Sequence, residues 1–131
     1  MRAAVPPMRE RGWGRIITIT SRTVREAIDG LVLSNATRAG VAGAVRTLAR
    51  ELARDGVTVN NVMPGSFATE RLVELHGSLE AVAERGKASP MGRIGDPDEL
   101  GAVIAFLASR QASYLTGASI LVDGGEGHVI A

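Results

Sequence analysis

The sequence contains no cysteine among its 131 residues, and this absence excludes several kinds of chemistry at once. Without a thiol there can be no disulfide framework, no thiolate nucleophile and no cysteine-ligated metal site. Aromatic residues are also scarce, since the chain has one Trp, one Tyr and two Phe. The 45% of residues that are hydrophobic are therefore mostly aliphatic, and together with 16 glycines they favour closely packed α/β layers.

The chain also lacks an excess of charge of one sign and any long apolar run. Its 15 basic residues are scattered and nearly balanced by 14 acidic ones, so the sequence predicts no nucleic acid partner and no anionic membrane surface. No apolar run approaches the roughly 20 residues that a membrane helix needs. The N-terminus is broken by Pro6 and Pro7 and does not have the pattern of a signal peptide. The expected location is the cytoplasm.

What the sequence does have is a long amphipathic stretch from Ser34 to Asp55. Its apolar residues recur at the 4-3-4 spacing of one helical face, and they are Val41, Val45, Leu48 and Leu52. Ser34 is the predicted N-cap, because its hydroxyl can accept a hydrogen bond from a free amide at the start of the helix. Gly56 is the predicted stop, where a left-handed residue ends a helix at little cost.

Short apolar runs flank this helix, at residues 15–20 and 57–63, and predict two parallel strands joined by a right-handed crossover. A third strand is predicted at residues 119–122, after a helix that begins with a capping box at Asp96, Pro97 and Glu99. Residues 1–11 are typical of the last turns of a helix. Weak helices are predicted at residues 70–75 and 79–84, and the glycines and proline around them make residues 66–95 the candidate flap.

In this order and at these spacings, five segments resemble the second half of the short-chain dehydrogenase/reductase family. The segments are GRIITITS, RAGVAGAVRTLAREL, GVTVNNVMPGSFAT, MGRIGDPDEL and YLTGASILVDGG. The resemblance covers nearly all of residues 8–125. It implies one domain over residues 1–131 with a Rossmann-like, doubly wound parallel sheet, here a truncated half of about three strands with flanking helices.

The resemblance also implies a dinucleotide, NAD or NADP, as cofactor. The glycine-rich turn that would hold its pyrophosphate is not found in this sequence, and the residue that would choose between NAD and NADP would lie upstream. We therefore expect a fragment or a gene start placed too late, or a second chain that supplies the missing half. By resemblance, the substrate is a small molecule with a carbonyl or a secondary alcohol.

Catalytic residues in this family are a tyrosine, a lysine four residues later and an upstream serine, which together supply an acid poised near neutral pH. By resemblance, Ser21 stands at the serine position, Ser34 at the tyrosine position and Arg38 at the lysine position. A serine hydroxyl is a far weaker acid than a phenol, and Arg38 stays charged and cannot relay a proton. Arg38 could still hold ribose hydroxyls or a phosphate. The single tyrosine, Tyr114, is not followed by a lysine.

Further cofactor contacts are implied at the segment resembling P-G-x-x-x-T, in which Pro64 and Gly65 form a bend, the backbone of Phe67 meets the carboxamide and Thr69 meets the carboxamide or the diphosphate. A plain strand-ending turn with a helix N-cap at Thr69 remains open as the alternative. His76 and His128 have no second ligand at metal spacing, so no metal site is predicted.

Three interpretations remain open. The first is an NAD(P)-dependent oxidoreductase, with this chain alone inactive. The second is a catalytically degenerate protein on the same fold that binds a nucleotide or a partner. The third is an assembly piece, since the resemblance implies homo-dimers or tetramers formed through residues 1–11 and 34–55, and an unpaired first strand would also invite association.

Overall fold

Three parallel strands form the centre of the computed structural model, which describes residues 3–128. They are β1 (Gly14–Ile19), β2 (Val57–Pro64) and β3 (Ser119–Val122), and β2 lies between the other two. Seven of the eight residues of β2 are buried, whereas Ile19 at the end of β1 is 55% exposed. The predicted parallel arrangement is confirmed, and β1 has no strand partner on its outer side among the described residues.

Helices lie on both faces of this sheet. Ile16 of β1 packs with the buried cluster of Val45, Ala49, Leu52, Val57 and Val59 on the face that the long helix covers. Its neighbour Arg15 faces the other way, because successive strand residues alternate, and its Nε donates to the carbonyl of Ser109 at the end of the last helix. The helices are α1 (Val5–Glu10), α2 (Val32–Leu52), α3 (Glu70–His76), α4 (Leu79–Gly86) and α5 (Pro97–Ala108).

The start of α2 differs from the prediction. The helix begins at Val32, its N-cap position is Leu31, and no side chain caps it. Ser34 is therefore inside the first turn, and the prediction that it caps the helix is wrong. Asn35 holds the chain that precedes the helix instead. Its backbone N–H donates to the carbonyl of Leu31, and its side-chain amide donates to the carbonyl of Ile28.

The apolar face of α2 is buried only along its second half. Val45 and Leu52 are 1% and 2% exposed, but Val41 on the same face is 37% exposed. The reason is that no described residue covers the outer edge of β1 beside the first half of the helix. The predicted stop is confirmed: a short 3-10 turn, Ala53–Asp55, leads to Gly56 with φ 71°.

The predicted flap, residues 66–95, contains α3 and α4, and both weakly predicted helices are confirmed. A single parallel bridge between Phe67 and Gly95 joins the two ends of this segment. The capping box that starts α5 is also confirmed, with the Asp96 side chain accepting from Asp98 and the Glu99 side chain accepting from Asp96.

A buried polar side chain ties the three strands together on the α2 face. Asn61 of β2 is fully buried, and its Oδ1 accepts from the hydroxyls of Thr18 (3.0 Å) and Thr20 (2.9 Å) beside it. Its Nδ2 donates to the hydroxyl of Ser119 on β3 at 3.3 Å. Every polar atom of this amide is thereby paired, which is the condition for burying it without a large penalty.

We expect Asn61→Ala to lower the free energy of unfolding by about 2–3 kcal/mol, because the hydroxyls of half-buried Thr18 and buried Thr20 lose their closest acceptor. Urea unfolding of the chain measures it. Thr47→Ala, in which an exposed hydroxyl on α2 loses one local hydrogen bond, is the control and should change stability by less than about 0.5 kcal/mol. Equal losses in the two variants would contradict the role of Asn61.

A carboxylate at the start of α5 should make the free energy of unfolding depend on pH in the acid range. Hydrogen bonds from Arg93, and then from the backbone N–H of Asp96, lower the pKa of Glu99 from 4.5 to about 2. Because the pKa is lower in the folded chain, this carboxylate stabilises the fold above pH 4.5 and the contribution is lost as the pH falls through about 2.

We therefore expect Glu99→Gln to flatten the stability profile over this acid range in urea unfolding at low salt. The effect should be small and should shrink in salt, because the pair is exposed. Glu51→Gln changes an exposed carboxylate without a described ion pair and should keep the wild-type profile. Identical profiles for wild type and Glu99→Gln would contradict the prediction.

Candidate active site

The carboxyl ends of three parallel strands meet at one edge of the sheet, and the residues singled out from the sequence lie there. Pairing continues past β1, since the N–H of Thr20 donates to the carbonyl of Val62 at 2.8 Å. The next residue, Ser21, therefore leaves the sheet level with Pro64, the last residue of β2. This is the edge at which open α/β sheets bind their ligands.

Ser21 is half-buried and fixed by its own backbone. It is the N-cap of the 3-10 turn Arg22–Val24, and its Oγ accepts from the N–H of Thr23 at 3.3 Å. The local capping role is thus present. It leaves the hydroxyl hydrogen of Ser21 available for a ligand, because a hydroxyl accepts and donates independently.

Ser34 and Arg38 contact each other one turn apart on α2. The Nε of Arg38 donates to the Oγ of Ser34 at 2.9 Å, and a terminal nitrogen of the same guanidinium donates to the carbonyl of Thr20. Arg38 thereby fastens the first half of α2 to the end of β1. The Ser34 hydroxyl accepts from a cation, which leaves its own hydrogen available to donate.

This pair lines an open groove beside the outer edge of β1. Its volume is about 620 Å³, and one side is the exposed strand edge while the other is the first half of α2. The lining residues are Thr18, Ile19, Thr20, Leu33, Ser34, Thr37, Arg38 and Val41. The exposure of Val41 is explained by this groove.

The segment after β2 is tightly held against β3. The N–H of Gly65 donates to the carbonyl of Val122 at 3.0 Å, and a Cβ on Gly65 would lie 2.6 Å from the Cβ of Asp123. No larger residue fits this close approach. Thr69 caps α3, since its hydroxyl accepts from the N–H of Leu72, so the predicted N-cap alternative at Thr69 is observed.

Two backbone amides of this segment have no hydrogen-bond acceptor within residues 3–128. They belong to Ser66 and Phe67, whose carbonyls are both used, by Gly95 and Thr69 respectively. The segment lines a second groove of about 300 Å³ between the start of α3 and α5. No described residue lines both grooves: Ser34 and Arg38 line the first, the Pro64–Thr69 segment lines the second, and Ser21 lines neither.

A hydrogen-bond network joins distant residues at this edge of the sheet, and the sequence analysis did not predict it. Arg22 donates to a carboxylate oxygen of Glu26 at 3.0 Å and to the backbone carbonyl of Glu126 at 3.1 Å. The Glu126 carboxylate accepts from the hydroxyl of Ser66 at 3.1 Å. Residues following β1, β2 and β3 are thereby joined. The partners are up to 104 positions apart, and no short motif reports such a contact.

The remaining candidates lie outside these grooves. Tyr114 is fully exposed in the loop that precedes β3, at the opposite edge of the sheet. Within residues 3–128, no three His, Asp or Glu side chains cluster as metal ligands would. The helices of the described chain are all too short or too polar to cross a membrane.

This architecture, a parallel sheet with helices on both faces and polar residues at its carboxyl edge, is Rossmann-like. A family model described as enoyl-(acyl carrier protein) reductase matches residues 1–126. The chain is 40% identical to nodulation protein G of Azospirillum brasilense, covering 92% of this chain and 48% of that one. It is 38% identical to a 2,3-dihydroxy-2,3-dihydro-p-cumate dehydrogenase of Pseudomonas putida, covering 95% and 48%.

Among solved structures, an NADPH-bound short-chain oxidoreductase from Pseudomonas aeruginosa PAO1, described as containing an atypical catalytic center, superposes with a TM-score of 0.87 at 33% identity. The match covers 98% of this chain and 52% of that one. The chain belongs to the short-chain dehydrogenase/reductase family. It spans about half the length of the relatives that it matches.

We expect Arg38→Met to lower the free energy of unfolding by about 1–2 kcal/mol, because the bonds to Ser34 and to the Thr20 carbonyl are charge-assisted and partly buried. Urea unfolding measures it. Arg50→Met removes the same charge from the same helix at an exposed position without a described hydrogen bond, and it should leave stability within about 0.5 kcal/mol of wild type. Arg38→Met matching Arg50→Met would contradict the fastening role.

Proposed function

We propose that this chain forms the nicotinamide and substrate half of an NAD(P)-dependent oxidoreductase that acts on a carbonyl or a secondary alcohol. The observation that carries the proposal is that Ser21, Arg38 and the Pro64–Thr69 segment lie along one carboxyl edge of a parallel sheet. The family of the chain supports it, as does the 2,3-dihydroxy-2,3-dihydro-p-cumate dehydrogenase among its relatives.

The residues fit the nicotinamide end of a dinucleotide. The unpaired amides of Ser66 and Phe67 are donors of the kind that a carboxamide oxygen accepts from. Arg38 still has N–H groups beyond those used by Ser34 and Thr20, and a guanidinium fork suits ribose hydroxyls. Pro64 and Gly65 hold the segment in place between β2 and β3. When bound, the dinucleotide supplies or accepts the hydride.

In this proposal Ser21 donates a hydrogen bond to the carbonyl oxygen of the substrate, where negative charge grows as the hydride arrives. Ser34 and Arg38 stand where the family has its tyrosine and lysine. Since a serine hydroxyl is a far weaker acid than a phenol, Ser34 positions a water or the carbonyl, and the proton that completes the alcohol comes from solvent. Arg38 adds a fixed positive charge beside this oxygen and exchanges no proton.

A second candidate is a catalytically degenerate or purely assembling protein, and one observation favours it. Leu31, Val32 and Leu33 are 44%, 76% and 81% exposed at the start of α2, near the unpaired edge of β1 where Ile19 is also exposed. Apolar surface next to an open strand edge favours association. In this candidate the chain pairs with a further polypeptide or with copies of itself as a dimer or tetramer. Sedimentation as a monomer at all concentrations would count against it.

Turnover of a nicotinamide dinucleotide distinguishes the two candidates. The protein is expressed from its complete reading frame, with any residues encoded upstream of Met1 included, and is assayed with NADH and NADPH against a panel of carbonyls and alcohols. We expect dinucleotide-dependent turnover, and we expect Ser21→Ala to lower kcat at least about 100-fold, because one donor to the developing oxyanion is lost.

The matched control is Ser113→Ala, which removes an exposed serine hydroxyl without a described partner at the opposite edge of the sheet. It should keep wild-type kcat. Dinucleotide binding without turnover of any substrate would reject the oxidoreductase and favour the degenerate candidate. A Ser21→Ala variant as active as wild type would reject the role given to Ser21.

A further inference from the structure

The groove between the start of α3 and α5 combines an apolar wall with a single charge. Its floor is the segment of Pro64, Gly65, Ser66 and Phe67, which carries the two unpaired amides. Three leucines, Leu72, Leu75 and Leu100, line its walls. A volume of about 300 Å³ lies at the lower end of the range for small-molecule sites, so the groove suits a mononucleotide and not a whole dinucleotide.

Among the described residues that line this groove, Arg71 alone is charged. It is exposed, and within residues 3–128 it takes part in no ion pair and no side-chain hydrogen bond. Its neighbours Glu70 and Glu74 do not pair with it and do not line the groove. The charge of Arg71 is therefore available to a ligand that lies on the Pro64–Thr69 segment.

A third groove, which also contains arginines, differs from the Arg71 groove in having a carboxylate in its lining. That groove is lined by Arg22 and Arg85 together with Glu126. Arg22 is already bound to Glu26 and to the backbone of Glu126, so an anion there would meet Arg85 together with a neutralised cation and a carboxylate. Within residues 3–128, no acidic residue lines the groove of Arg71. Of the two, the Arg71 groove is the one in which no carboxylate of the described residues would oppose an anion.

We propose that Arg71 binds the phosphate next to the nicotinamide ribose of the cofactor, while the nicotinamide lies on the Pro64–Thr69 segment. This inference rests on the proposed function, because it needs a nicotinamide on that segment. It adds a phosphate-binding residue from the flap, which the sequence motifs do not point to. In a protein whose glycine-rich turn is not in this chain, Arg71 gives the described half its own contact with the anionic part of the cofactor.

Two small ligands that differ only in the phosphate test the inference on the 131-residue chain. Nicotinamide mononucleotide carries the phosphate and nicotinamide riboside does not. Both are titrated while amide signals of residues 64–69 are followed by NMR. Because Arg71 is exposed, the gain should be modest, and we expect the mononucleotide to bind about threefold to tenfold more tightly than the riboside. The difference should shrink as salt is raised.

Arg71→Ala should abolish this difference, and Arg71→Lys should restore part of it. The matched control is Arg85→Ala, which removes the same charge from the flap at a residue lining the neighbouring groove, and it should keep the difference. Because Arg71 makes no hydrogen bond or ion pair with a described side chain, the variant spectra should otherwise match wild type, which verifies the fold.

The outcomes separate the inference from the proposed function. Equal binding of both ligands by wild type, or a preference that survives in Arg71→Ala, would overturn the role of Arg71 and leave the nicotinamide segment standing. If Arg85→Ala also loses the preference, then the preference reflects the net charge of the protein. That result would also overturn the role of Arg71. If neither ligand shifts the signals of residues 64–69, the nicotinamide segment itself fails, and the inference fails with it.

Discussion

The parallel pairing of β2 with both neighbours is the constraint on which the rest of the structure depends. β2 is buried along nearly its whole length, and it can be so only because β1, β3 and helices on both faces cover it. Parallel pairing sends all three strands out at one edge. The candidate site is a consequence of this direction, since Ser21, Pro64 and Asp123 are the residues with which the chain leaves the three strands.

Asn61 shows how the sheet keeps this register. A buried amide at the centre of an apolar sheet would destabilise it unless every polar atom were paired. The hydroxyls of Thr18, Thr20 and Ser119 supply these partners from both neighbouring strands. A shift of one residue would turn these side chains to the other face. The network therefore favours one register, and with it the level at which Ser21 and Pro64 leave the sheet.

The sequence predicts those features whose physical cause is local. Gly56 ends α2 because a glycine adopts the left-handed conformation without strain, and Asp96 with Glu99 starts α5 because both partners lie within one turn. Short apolar runs also predict the three parallel strands. The prediction for Ser34 was wrong for a reason outside local propensity, since its hydroxyl accepts from Arg38, which is in turn bound to the end of β1.

Other features depend on contacts that no local pattern contains. Helical spacing placed Val41 on the buried face correctly, but whether that face is covered depends on what lies beside β1. The joining of Arg22, Ser66 and Glu126 brings together residues after three different strands. Arg71 belongs to no sequence motif. It becomes a candidate binding residue only because of the groove that α3 and α5 form around it. Such features become visible once the topology is known.

The same topology couples the flap to the edge of the sheet. Its two ends meet at the bridge between Phe67 and Gly95, where a Cβ on Gly95 would lie 2.7 Å from the Phe67 ring. Phe67 follows Ser66, whose hydroxyl is held by Glu126. A rotation of the flap about this base would therefore act on the segment that carries the two unpaired amides. Since Arg71 moves with α3, any ligand held by both Arg71 and those amides would fix the flap relative to the sheet, so ligand binding and flap position are physically linked.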